Sequence, residues 1–412
     1  MITYEKFTLN NGLKLIIHQD ASTPIAAVNV LYDIGARDEN PEKTGFAHLF
    51  EHLMFGGSIN IENYDEHVEK AGGENNAFTS NDLTNYYITL PKENLETALW
   101  LESDRMEQLA FTDKSLEVQR SVVIEEFKQN YLNQPYGDIN MLIRDMAYKK
   151  HPYRWSTIGK EISHIEQATM EDVKAFFYSY YAPNNAILVI AGDVDVQATK
   201  ALVEKWFGGI ERRDVPQRNL DVEPAQTKAR KLVVERDVPI DVFYKVFHMC
   251  AKTDPEYHTT DLLSDILSRG DSSRLYKSLV KEQKLFSDID AYVGGDADPG
   301  LFTFSGKLLE GVSMEAAEAG VMAEIKKIQE ELIEEEELTK VKNKVLSALM
   351  FGEINVLNKA MSLAMAELAG DVEKANEEVA RYEAVTAAGI QKVAKEIFRE
   401  ENSTVLYYKA KR

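Results

Sequence analysis

The 412-residue chain states one plan twice, at a spacing of about 215 residues. PIAAVNVLYDI at 24–34 is matched by PIDVFYKVFHM at 239–249, and LFEHLMFGGS at 49–58 by LLSDILSRGDSSRLY at 262–276. Near the end of each copy, at 173–194 and 390–411, a helical period runs into a polar turn with Asn and then an apolar strand. A repeat this long is a whole domain, so the chain is expected to fold as two related domains, each with its own core. Between them GGIERRDVPQRNLDVEPAQTKAR, roughly 208–230, sets Pro216 and Pro224 among charges without an apolar period, as a linker does. The expected layout is a first domain at 1–212, a linker at 213–230 and a second domain at 231–412.

Strand and helix periods mix within each copy, which predicts the α+β class: mostly antiparallel sheets flanked by helices. FTLNNGLKLIIHQD places Asn10, Asn11 and Gly12 at a hairpin turn, and PIAAVNVLYDIG follows as a buried strand. TGFAHLFEHLMF at 44–55 has helical spacing and is apolar nearly all round, so it is expected inside a core. Further strands are expected in NNAFTSND and TNYYITLP, and further helices in LETALWLESDRMEQL, SLEVQRSVVIEEFKQNYL and MEDVKAFFYSYY. In the second copy KKIQEELIEEEELTKVKNKVLSALMF reads as solvated helix with one buried stripe, and its acidic run Glu334 to Glu337 as a soluble helix face.

Against 47 Lys and Arg stand 68 Asp and Glu, a formal net charge of −21. Such a surface repels phosphate backbones and anionic headgroups, which argues against nucleic acid and membrane partners; lining a cavity, it would favour basic ligands. No run approaches the roughly 18 apolar residues of a membrane span. The N-terminal MITYEKFTLNNGLKLIIHQD alternates polar and apolar residues, without the basic start and apolar core of a signal peptide. The expected location is cytoplasmic, or periplasmic if a leader precedes this sequence. Cys250 is the only cysteine, which leaves neither an intrachain disulfide nor a thiolate cluster, so a metal would have to use His and carboxylates.

Inside the 44–55 helix lie His48, Glu51 and His52, an H-x-x-E-H pattern. Residues four apart project from one helical face, so both imidazoles can reach a single ion with Glu51 beside them. Two imidazoles and a carboxylate buried without partners are costly, and one divalent cation offsets that cost for all three. The plainer alternative is a pair of core histidines bonded to Glu51. Zinc in a hydrolytic site takes three protein ligands and leaves a position for water. For the third, SVVIEEFKQ offers Glu125 and Glu126. Glu126 shares a helical face with Val122 and Val123 and should point inward, whereas Glu125 shares one with Ser121 and Gln129.

Through these residues the sequence resembles, over nearly its whole length, the pitrilysin/insulinase family of zinc metallopeptidases, whose inverted zincin motif is H-x-x-E-H. The resemblance is to the short two-domain type, the bacterial zinc peptidases akin to mitochondrial processing peptidase. It implies one Zn²⁺ per chain held by His48, His52 and Glu126, with Glu51 as general base. GGENNAFTSNDLTNYY looks like the family's G-G-x-x-N-A-x-T edge-strand segment, which implies that Asn76, Ala77, Phe78 and Thr79 pair with a peptide substrate as an added β-strand. The implied activity is that of an endopeptidase or oligopeptidase acting on peptides or unstructured segments. A noncatalytic core or assembly subunit of the same fold, or a binding protein that retains zinc structurally, is the alternative.

The sequence departs from the family pattern at a helper carboxylate near the site and in its second copy. Seven residues before the third ligand, where the family often has Glu, stands Gln119. After the S-S-R-L segment Ser272 to Leu275, the family's R-x6-Y pair falls on Val280 and Ser287. Aligning Gly57 with Gly270 sets Asp261, Ser264 and Asp265 against His48, Glu51 and His52, so the second domain is expected to hold no metal. Longer family members form a four-domain clamshell, and chains of this length build it from two polypeptides. The resemblance therefore implies half of a clamshell, working as a homodimer or as a heterodimer whose partner carries the Arg/Tyr pair.

Overall fold

The computed structural model describes residues 1–411. The strands are β1 Glu5–Thr8, β2 Lys14–Gln19, β3 Ile25–Tyr32, β4 Glu74–Thr79, β5 Thr84–Pro91, β6 Ala186–Gly192, β7 Arg230–Arg236, β8 Val242–His248, β9 Phe286–Val293, β10 Leu301–Leu308 and β11 Ser403–Ala410. The α-helices are α1 Phe46–Leu53, α2 Tyr64–Lys70, α3 Leu95–Glu107, α4 Asp113–Phe127, α5 Ile139–Ala147, α6 Ile162–Glu166, α7 Met170–Tyr180 and α8 Val196–Phe207, then α9 Tyr257–Ser268, α10 Met314–Glu330, α11 Glu335–Gly352, α12 Val356–Leu368, α13 Lys374–Glu383 and α14 Ala387–Ile397. Among the described residues, no helix is long and apolar enough to cross a membrane.

The strands make a six-stranded sheet in the order β1-β2-β6-β3-β5-β4 and a five-stranded sheet in the order β7-β11-β8-β10-β9. Without β1, the first order maps strand for strand onto the second. The chemistry of pairing repeats as well: β2 with β6 and β7 with β11 are the parallel pairs, and the other neighbours are antiparallel. The α+β reading and the duplicated plan are both realised. The β1–β2 hairpin turns at Gly12, whose φ of 92° lies in the left-handed region that a glycine adopts without strain.

Two compact units divide the chain. One comprises Met1–Leu132, Trp155–Asp221 and Met350–Glu377; the other comprises Asn133–Arg154, Val222–Leu349 and the C-terminal segment from Glu378. The contiguous layout of the sequence reading therefore does not register an exchange. Helix α5, from the first copy, lies on the second sheet, where Ile139, Ile143 and Ala147 bury against Val242, Val246, Leu406 and Tyr408. Helix α12, from the second copy, lies on the first sheet, where Val356, Ala360, Leu363 and Ala364 bury against Ile16, Ala27, Leu31 and Val189. Each sheet needs a helical cover on its second face, and the equivalent helix of the other copy supplies it. Between α8 and β7, residues 208–229 form no helix or strand. That stretch is nevertheless tied down, Arg218 donating to Asp33 and Asp38 at 2.7 and 2.6 Å.

Two local expectations change. The helical stretch at 326–351 is broken: α10 ends at Glu330, and of the acidic run Glu335 to Glu337 form the largely exposed first turn of α11, where the helix dipole favours carboxylates. Glu337 there pairs with Arg274 through two hydrogen bonds of 3.0 and 2.7 Å. The 44–55 helix is not enclosed all round either. Phe46, Ala47, Leu49, Phe50 and Leu53 are buried, while His48, Glu51 and His52 lie along a half-buried face.

Candidate metal centre

Helix α1 is short and held from several sides. Phe50 is fully buried and its ring lies 4.8 Å from that of Phe176 and 5.2 Å from that of Tyr181, on and just after α7. Aromatic contacts of this kind anchor the helix by its apolar side and turn the opposite side outward. At its C-terminal end a Cβ on Gly56 would come within 2.3 Å of Ser115 Oγ, and Ser115 donates to the Gly56 carbonyl at 3.3 Å. Glycine thus lets the start of α4 approach the end of α1. With Ser115 at that end and Glu126 beside His48, the two helices run antiparallel.

That crossing brings the expected ligands together. Glu126 Oε2 stands 3.6 Å from His48 Nε2 and 3.5 Å from His52 Nε2, and one ligand atom from each residue lies within 4.8 Å of the others. Tetrahedral zinc with bonds of about 2.0–2.1 Å requires ligand atoms about 3.4 Å apart, so the donor set and its spacing both fit that ion. His48 and His52 meet edge to face, ring centroids 4.9 Å apart, as two imidazoles sharing one ligand point do. Burial lowers the His48 pKa and keeps the imidazole in its neutral, ligating form. Hydrogen bonding to His52 holds Glu126 below the usual carboxylate range, although burial opposes it. His48 Nδ1 is buried with no hydrogen-bond partner among the described residues.

Glu125 points away, exposed and paired with Lys128 at 2.9 Å, so of the two glutamates Glu126 faces the histidines. The valines behave less simply. Val123 is fully buried beneath Glu126, but Val122 is 43% exposed, because the inward arc of α4 is narrower than the apolar pattern suggests. Gln119 lies two turns before Glu126 on the same helix and is half-buried.

Asn76, Ala77, Phe78 and Thr79 form most of β4, the strand at one edge of the first sheet, which pairs only with β5. Its side chains alternate between faces. Phe78 packs into the cluster under α12, whereas Thr79 faces α1. Thr79 Oγ1 donates to Glu51 Oε2 at 2.6 Å, a contact that sequence reasoning did not foresee although the two-residue period of a strand could have suggested it. At the open edge, the Ala77 N–H is covered by its neighbour, Asn76 Oδ1, at 2.8 Å.

The second copy shows what becomes of the same position. Asp261 accepts from Tyr382 Oη at 2.6 Å, Ser264 Oγ donates to the Asp261 carbonyl at 2.8 Å, and Asp265 pairs with Arg269 at 2.9 Å. Val280 packs against the core of its unit, and Ser287 is exposed and donates to Asp288 at 3.0 Å. Sequence reasoning also passed over Glu39, a buried carboxylate at the start of α1.

Comparison with known proteins agrees with this geometry. The family model for insulinase (peptidase family M16) matches residues 14–161, and the model for the peptidase M16 inactive domain matches residues 167–345. The chain is 30% identical over 413 residues to the zinc protease PqqE of Helicobacter pylori, covering 98% of this chain and 93% of that protein. It is 28% identical over 211 residues to the mitochondrial-processing peptidase subunit beta of Saccharomyces cerevisiae, covering 50% of this chain and 45% of that one. Among solved structures it is similar to a protease from Helicobacter pylori with a TM-score of 0.94 and 29% identity, covering 99% of this chain and all of that one.

Proposed function

The chain belongs to the insulinase family, peptidase family M16, and on that premise we propose that it is a zinc-dependent endopeptidase or oligopeptidase. The observation that carries this reading is the convergence of His48, His52 and Glu126 on one point, with Glu51 a single residue from His52 on the same open face. These three would hold the zinc. When bound there, the ion supplies a water acidic enough to lose a proton near neutral pH and an electrophile for the scissile carbonyl.

The chain's own groups do the rest. Glu51 accepts the proton of the attacking water and passes it to the leaving amine. Thr79, by donating to one carboxylate oxygen, fixes the rotation of Glu51 and leaves the other oxygen to meet the water. The substrate lies as an extended strand beside β4, its backbone pairing along Asn76 to Thr79 while Asn76 Oδ1 gives up the Ala77 N–H. Recognition through backbone groups favours peptides and unstructured segments with loose sequence selectivity.

Four variants test the reading. Glu51→Gln is expected to keep zinc and lose turnover; His48→Ala, His52→Ala and Glu126→Ala are expected to lose zinc. Normal zinc content in Glu126→Ala would overturn the ligand assignment, and full turnover by Glu51→Gln would overturn the base. A partner completes the proposal, since Val280 and Ser287 offer no Arg/Tyr pair. A zinc-bearing chain of this kind would act with a related subunit, as the name of the yeast relative, a subunit beta, suggests. Full activity of the purified chain as a homodimer on unstructured peptides would remove the need for that second subunit.

A further inference from the structure

Helix α1 spans eight residues, about two turns, and a helix that short has little stability of its own. Its first turn is Phe46, Ala47 and His48, so fraying at the N-terminus would release a metal ligand. The N-cap position gives no help from its side chain, because it is Gly45, held at φ +88° where a Cβ would come within 2.7 Å of the Ile158 carbonyl. The orphan N–H groups are instead met from outside the helix. Glu39 Oε2 accepts from the Gly45 N–H at 2.9 Å and Glu39 Oε1 from the Ala47 N–H at 2.8 Å.

This carboxyl group is placed at a cost. Glu39 is 5% exposed, and burial pushes its pKa up to about 8 against the two N–H donors. The segment that carries it is pinned on both sides. Arg37 forms a buried pair with Asp82 at 3.1 Å, Asp38 accepts from the Gly35 N–H at 3.1 Å, and the Trp155 indole donates to the Ala36 carbonyl at 2.9 Å. A buried acid held this firmly, with both oxygens on one helix end, is more than an ordinary surface cap.

We propose that Glu39 is a positioning residue for the metal centre: by capping α1 from outside, it fixes the first turn and with it the reach of His48 toward His52 and Glu126. The proposal rests on the zinc reading above and concerns how that site is built. It gives a role to a buried acid that neither ligates nor touches substrate. Glutamine keeps one acceptor oxygen and turns an NH₂ donor toward an N–H, so Glu39→Gln removes half the cap in nearly the same volume.

The test measures Zn²⁺ affinity above about pH 8, where the Glu39 carboxyl is ionised and both of its oxygens accept, by competition with a chromophoric chelator for wild type, Glu39→Gln and Glu367→Gln. Glu367 is as deeply buried, on α12, and pairs with Lys6 and Lys14, so it serves as a control for destabilisation away from the site. The Zn²⁺ dissociation constant of Glu39→Gln is expected to rise about 10–100-fold, as supporting residues of metal ligands do when lost. That of Glu367→Gln is expected to stay within about twofold while its stability falls. Equal zinc affinity in Glu39→Gln and wild type, with only the melting temperature lowered, would reduce Glu39 to a structural residue and sink the proposal. No zinc binding by wild type would instead refute the zinc reading itself. Hydrogen exchange of the wild-type protein over residues 44–50 gives a measurement that needs no folded variant: slow exchange at the Gly45 and Ala47 amides supports the cap, and exchange at the rate of a frayed end overturns it.

Discussion

Helices α1 and α9 occupy the same station in the two copies, after equivalent strands β3 and β8, and they solve the same problem in opposite ways. Each carries three polar residues on one face. In α9 every one of them is satisfied by protein: Asp261 by Tyr382, Ser264 by the helix backbone, Asp265 by Arg269. In α1 the polar face stays half-buried, His48 Nδ1 lacks a partner among the described residues, and ligand atoms of His48, His52 and Glu126 lie within 4.8 Å of one another. A duplicated scaffold can keep its topology while one copy closes its polar face into a network and the other leaves it open for a ligand. The family model for the inactive domain, which matches residues 167–345, includes α9 and not α1.

The largest effects should separate the two helices at the reacting groups. Glu51→Gln is expected to lower kcat by about 10²–10⁴-fold, the usual range for loss of a general base, with zinc content unchanged. Its counterpart Ser264→Ala should leave kcat within about twofold, since Ser264 serves only its own helix. Steady-state assays on one unstructured peptide compare them directly. A large loss from Ser264→Ala would break the assignment of the second copy as scaffold.

A smaller effect falls on Thr79. Thr79→Val preserves shape and deletes the donor to Glu51, so kcat is expected to fall by about tenfold, the worth of a hydrogen bond to a charged group, while KM and zinc content hold. Thr79→Ser should restore most of the rate. If KM rises in place of the fall in kcat, Thr79 acts on substrate and not on the base. In the second copy the corresponding test is Tyr382→Phe, which deletes the bond to Asp261. It should cost about 1.5–3 kcal/mol of stability in urea denaturation and leave turnover alone.

Much of this comparison is written in periodicity. His48 and His52 four apart, Glu126 with Val123 beneath it, and a strand through 76–79 follow from helical and strand periods, whereas the place of that strand at the sheet edge is implied by the family resemblance and not by its period. What periodicity leaves out is tertiary choice. The patterns of α5 and α12 say that each buries one face, but nothing in them names the sheet, and each covers the sheet of the other copy. Val122 belongs to an apolar triple yet stays exposed, because the width of the buried arc is set by the neighbour and not by the helix. Glu39 reaches Gly45 and Ala47 across an irregular turn, a geometry with no repeating signal. Thr79 lay within the expected segment, but its side chain serves Glu51 while its backbone remains at the edge.

The least effect on turnover, and the last contrast between the units, concerns pH. In the first unit Glu39 has its pKa raised by burial to about 8, above its unfolded value, so the native state holds a proton that the unfolded chain gives up. Stability from this group is full at acid pH and is lost as pH rises through the window from about 4.5 to about 8. In the second unit Glu378 runs the other way. Burial pushes its pKa up, but the hydrogen bond from His258 at 3.0 Å and the charge of that imidazole hold it below the ordinary value. Its contribution is present above the unfolded pKa and is lost as pH falls through the lowered one. The three tryptophans, Trp100, Trp155 and Trp206, all lie in the first unit, so their fluorescence follows that unit alone. In urea denaturation of the zinc-free protein, the tryptophan midpoint is expected to fall between pH 5 and pH 8, and Glu39→Gln should flatten that slope. A tryptophan midpoint that rises over this interval, unchanged by Glu39→Gln, would show that the buried carboxyl is not what links the first unit to pH.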